Sequence, residues 1–153
     1  MRFQTPIRSK QLLLAAAILS FAIALFQAVL SFSPSLSRFF GAGELAANPL
    51  LLLVAGLAAT MAFAVFGLYA LAGASTIRRL PLLRTGLVAI VVIYALRGLF
   101  LLPDLLAMAG VLPSPEPVPS QALLSSLVAL AAGVLYLLGT VASWKRLQPH
   151  AGA

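Results

Sequence analysis

Four unbroken apolar runs dominate the chain, at about residues 11–30, 50–73, 85–102 and 121–143, with short polar segments between them. Each approaches or exceeds 20 residues, the length at which an α-helix crosses the hydrocarbon core of a bilayer. Peptide groups in that core find no water, so each run satisfies its hydrogen bonds only as a helix. The predicted fold is all-α: one integral membrane domain over residues 1–153, its four spans gathered into a four-helix bundle.

The segments between the runs carry their own signals. Residues 31–48 are Ser-rich and bear Leu36, Phe39 and Phe40, side chains suited to a membrane surface, while Gly41 and Gly43 permit a tight turn. Pro103 is expected to close the third helix. Residues 104–120 begin with a turn bearing Leu105, Leu106, Met108, Val111 and Leu112 and then place Pro113, Pro115, Pro117 and Pro119 at every second position. Such a stretch is extended and serves as a stiff connector, or as a Pro-rich ligand for a partner. Trp144 follows the fourth run as an interfacial anchor. The first run follows Arg2, Arg8 and Lys10 as the core of a signal peptide would. Its length, with no small-x-small site ahead of Pro34, favours an uncleaved first helix.

Charge orients the spans. Arg2, Arg8 and Lys10 precede the first; Arg78, Arg79 and Arg84 lie in the second connection, residues 74–84; Lys145 and Arg146 follow the fourth. The first connection holds only Arg38, and the third holds no basic residue. Lys and Arg are retained in the cytoplasm, so the expected topology is N-in/C-in, with residues 31–48 and 104–120 outside. All three acids, Glu44, Asp104 and Glu116, fall in the two outside connections.

Composition narrows the function classes. At 62% hydrophobic and 8% charged residues, a soluble domain of 153 residues would be left with large sticky patches. The net charge of +7 comes from short clusters beside the apolar runs, a topogenic pattern, and nucleic acid is not an expected partner. The absence of cysteine removes disulfides, thiol nucleophiles and thiol–quinone chemistry. One histidine, His150, and three acids argue against a metal site, and no cofactor is expected. Arginine outnumbers lysine, and Ala and Leu abound, as in high-GC bacterial coding, so the expected location is a bacterial inner membrane. Neither the membrane-embedded Glu of small multidrug exporters nor the Glu-Arg…His-x-Asn pattern of microsomal glutathione transferases is present.

Small residues recur at helical spacing: Ala16, Ser20, Ala24 and Ala28; Gly56, Thr60, Ala64 and Gly67; Ser125, Ala129, Gly133 and Thr140. These stripes let backbones approach closely, within the bundle or against a partner or a second copy. Tyr69 and Tyr136 carry hydroxyls that need partners.

Arg97 interrupts the third run, where a charge costs about 2.5–3.5 kcal/mol on insertion scales, and it requires an explanation. Gln27, Ser125 and Ser126 fall at similar depth, and Glu44 is the more reachable acid because Pro103 separates Arg97 from Asp104. The candidate site is a polar outward-facing pocket of Gln27, Arg97, Ser125 and Ser126 with Glu44 at its mouth. Arg97 either locks the bundle there or holds an anion, such as a carboxylate, a phosphate head group or a quinone-like oxygen. Arg78, Arg79 and Arg84 are placed to meet anionic lipid. With no His, Asp or Glu inside the spans, acid–base catalysis lacks its groups and no catalytic residue is assigned. The expected function is that of a small non-catalytic accessory or assembly subunit for another membrane protein. The alternative is an oligomeric binding or transport protein for a small anion or lipid head group at Arg97.

Overall fold

Helices make up nearly all of the described chain, and no strand occurs in it. The computed structural model describes residues 6–99, 101–111 and 120–147, and of these the side chains of all but residues 6–8, Glu44 and Asp104. Arg2, Glu116, His150 and the alternating prolines of residues 113–119 lie outside the described residues. The helices are α1 (Pro6–Ser31), α2 (Pro34–Phe39), α3 (Pro49–Gly73), α4 (Leu83–Leu99), α5 (Leu101–Met108) and α6 (Ser120–Ser143). A 3₁₀ turn, Gly43–Ala47, precedes α3. Four segments are long and apolar enough to cross a membrane: Ser9–Ser31, Pro49–Gly73, Leu83–Met108 and Ser120–Ser143.

Local chemistry sets the boundaries. Asn48 caps α3: its Oδ1 accepts from the amides of Leu50 and Leu51 at 3.1 Å each, and Pro49 fills the first helical position, where a missing N–H costs nothing. After α3, the Ser75 amide bonds the Ala72 carbonyl and the Thr76 amide bonds that of Leu71, both at 3.0 Å. This is a Schellman closure, and it puts Ser75 in the left-handed region at φ 56°. The same closure ends α2 at Gly41 and α5 at Gly110, where glycine meets the positive φ without cost. Pro103 does not close the third span. It sits in the first turn of α5, which no backbone bond needs, and helix continues to Met108.

The long helices run alternately up and down. Gly67 and Gly73 of α3 lie against Phe21 and Leu13 of α1, Gly98 and Gly133 mark the meeting of α4 with α6, and Gly139 of α6 abuts Leu13. The α1–α3 contact is the most extensive, followed by α4–α6 and α1–α6, whereas α3 and α4 touch less. Lys10, Arg78, Arg79, Arg84, Lys145 and Arg146 thereby share one end, the basic end, and Arg38 lies at the other, the far end. Large side chains such as Ile18, Leu25 and Met61 are about 70% exposed, so the apolar surface points outward as well as inward.

Candidate functional site

The α4–α6 seam is close because Gly98 carries no side chain: a Cβ there would lie 3.2 Å from the Leu130 Cα. That proximity lets Arg97, the neighbouring residue, reach across. Its Nη1 donates to Ser126 Oγ at 3.0 Å and its Nη2 to Ser125 Oγ at 2.9 Å, while Ser125 donates to the Ala122 carbonyl at 2.8 Å. Ser126 is buried; Arg97 is exposed, on the flank of the bundle. Arg97 lies about 21 Å along the helix axis from the start of the Leu83–Met108 segment. A charge there is stabilised by the hydroxyl oxygens of the adjoining helix, which accept from it.

The predicted site is divided between two places. Gln27 lines a cleft of about 360 Å³ between α1, α2, the 3₁₀ turn and α3, together with Ser31, Ser37, Phe40, Leu45 and Ala55. Arg97, Ser125 and Ser126 do not line it. Ser31 and Ser37 spend their hydroxyls on the Gln27 and Leu30 carbonyls, at 2.8 and 2.6 Å. Glu44 falls in the 3₁₀ turn beside the cleft residue Leu45, and its side chain lies outside those described.

Two of the arginines assigned to lipid hold the chain's own C-terminal turn. Arg79 Nη2 donates to the Arg146 carbonyl at 2.9 Å, and Arg84 Nη2 to the Trp144 carbonyl at 3.0 Å. The Arg84 guanidinium also lies 4.3 Å from the Trp144 ring centre. Arg146 in turn donates to Ser143 Oγ at 3.1 Å and to Ser9 Oγ. Carbonyls at a helix C-terminus lack intrahelical donors and carry partial negative charge, which is why cations collect there. Arg78 is exposed at the same end.

A polar chain at mid-bundle escaped the sequence reading. Tyr136 Oη donates to the Phe66 carbonyl at 2.7 Å, so its contact with Ser20 Oγ at 2.8 Å must be donated by serine. Tyr94, 3.4 Å from Ser20 Oγ, then acts as donor to it. The order of donation runs from α4 to α1 to α6 to α3 and joins all four long helices. The Tyr94 and Tyr136 rings stack at 5.6 Å, and Phe63 and Phe66 pack against Tyr94. Ser20 drew notice only as a small residue; its depth, level with both tyrosines, was the usable signal. Tyr69 donates to the Pro81 carbonyl at 3.2 Å. Among the described residues no three His, Cys, Asp or Glu side chains converge as metal ligands would. No protein-family model, curated protein or solved structure matches this chain.

Proposed function

We propose that the chain is a multi-pass protein of a bacterial cytoplasmic membrane, both termini cytoplasmic, acting as a non-catalytic accessory or assembly subunit for another membrane protein. The observation that carries this reading is the position of Arg97: exposed on the α4–α6 flank and held there by Ser125 and Ser126. A fixed guanidinium on an apolar flank is complementary to a helix presenting a carboxylate or a row of hydroxyls, and such polar contacts hold membrane helices together. Ile93, one turn away on α4, is exposed and supplies apolar contact beside it. The alternative, an oligomeric binding or transport protein for a small anion or lipid head group at Arg97, has less in its favour, because mid-bundle is filled by Tyr94, Tyr136, Phe63 and Phe66. The sharing of one bundle end by six described basic residues supports the orientation, since retained Lys and Arg set topology.

A photo-crosslinking residue at Ile93 tests the docking face, with one at Met61 on α3 as control. One discrete second polypeptide should be captured in native membranes from Ile93 and not from Met61. Capture should fall in Arg97→Ala while that variant melts like the parent. Equal capture at both positions, or capture indifferent to Arg97→Ala, removes the proposal. Because the chain has no cysteine, single cysteines at Ser35 and Ser75 report sidedness directly through impermeant labelling of whole cells. Ser35 should label and Ser75 should not.

A further inference from the structure

The far-end cleft offers chemistry that the α4–α6 flank does not use. Ala55 and Ala59 of α3 line it with small side chains beside Leu30 and Leu52, while Gly56 lets Ser31 of α1 pack directly on the α3 backbone. At about 360 Å³ it falls near the low end of ligand pockets, typically ~300–1,000 Å³, which are apolar with a few placed polar groups. Here the polar group is Gln27. Its carboxamide makes no hydrogen bond among the described residues, although the serines around it are satisfied. Half-buried near the end of an apolar helix, that amide has donors and an acceptor to offer a ligand in the cleft.

The surroundings indicate what that is. Phe40 lines the cleft and packs edge-on against Phe26 and Phe39, at 5.0 and 5.2 Å between ring centres. These three rings, with Phe32 and Leu36 exposed in the same stretch of chain, are side chains of the kind that seat at the head-group level of a bilayer. Arg38, exposed and next to the cleft residue Ser37, is the basic residue nearest the cleft in the chain, whereas Arg97 faces the α4–α6 seam. An apolar slot, an amide one turn below the helix end and a cation at the rim match a lipid's acyl chain, ester carbonyl and phosphate in that order.

We propose that this cleft binds one acyl chain of an anionic glycerophospholipid, its ester carbonyl accepting from the Gln27 amide and its phosphate beside Arg38. The site is independent of the Arg97 contact. The test is native mass spectrometry of the full chain released from nanodiscs of equimolar phosphatidylglycerol and phosphatidylethanolamine. The parent should retain one lipid, phosphatidylglycerol over phosphatidylethanolamine. Ala55→Phe, which fills the slot, should lose it. Gln27→Leu should lower the retained fraction about three- to ten-fold, the worth of one hydrogen bond. Arg38→Gln should keep a lipid but lose the head-group preference. Undiminished retention in an Ala55→Phe protein that melts like the parent overturns the site; if that variant does not fold, undiminished retention in Gln27→Leu does so. Retention of a free fatty acid or detergent in place of phospholipid, or an unchanged preference in Arg38→Gln, overturns the assignment of the ligand.

Discussion

Replacing Tyr136 by Phe deletes one oxygen and leaves the ring stacked on Tyr94, so its cost isolates the hydroxyl. Two bonds go with it, to Ser20 Oγ at 2.8 Å and to the Phe66 carbonyl at 2.7 Å. Interhelical side-chain bonds in membrane proteins are worth about 0.6 kcal/mol on average and ~1.7 at most, so the loss should be about 1–2 kcal/mol. Ser20→Ala also removes two contacts, to Tyr136 and to Tyr94, and the Ser20–Tyr136 bond is common to both variants. The double variant should therefore cost less than the sum of the singles by about 0.6–1.5 kcal/mol. Tyr69→Phe, whose hydroxyl bonds Pro81 near the basic end, shares no partner with Tyr136 and should add to Tyr136→Phe. Reversible unfolding in mixed micelles by added dodecyl sulfate measures all of these. Far-UV circular dichroism and the emission of Trp144, the only tryptophan, supply two probes. Additivity of Ser20→Ala and Tyr136→Phe to within about 0.3 kcal/mol would refute the shared bond.

Other perturbations report on separate parts of the molecule. Ser75→Gly relieves the left-handed backbone after α3 and should stabilise by about 0.5–1 kcal/mol in the same assay; destabilisation would mean that the Ser75 side chain matters more than its φ. Gly98→Val forces α4 away from Leu130 and should cost about 1–3 kcal/mol, with loss of any Arg97-dependent crosslink at Ile93; a parent-like melt would show that the α4–α6 seam is loose. Arg84→Gln removes the cation over Trp144 and one C-terminal bond, so Trp144 emission should change and the last turn of α6 should exchange its amides faster, with global stability altered by about 1 kcal/mol or less. Unchanged exchange there would show that Arg84 is not what holds the turn.

Depth along the helices was legible in the residues, and azimuth around them was not. The apolar runs mark the four long segments because length and composition alone decide whether a helix can cross a membrane. Turn chemistry was local too: Gly41 and Gly43 take positive φ as their residue type suggests. Pro103 was misjudged as a terminator because a proline's effect depends on its place within the turn, which only the resumed helix α5 reveals. Gln27, Arg97, Ser125 and Ser126 do lie toward the far end, yet Gln27 faces the α1–α3 cleft and the other three the α4–α6 seam. In a soluble helix the polar face shows which side turns outward. Here Leu, Ala and Val surround every long helix on all sides, so the inward face is chosen by contacts such as Gly98 on Leu130 and Ser20 between two tyrosines. Arg79 in the α3–α4 connection and Arg84 in the first turn of α4 follow the same logic. Their charge announces one end of the bundle, but the Trp144 and Arg146 carbonyls that receive Arg84 and Arg79 come from the turn that follows α6, and packing alone brings them together.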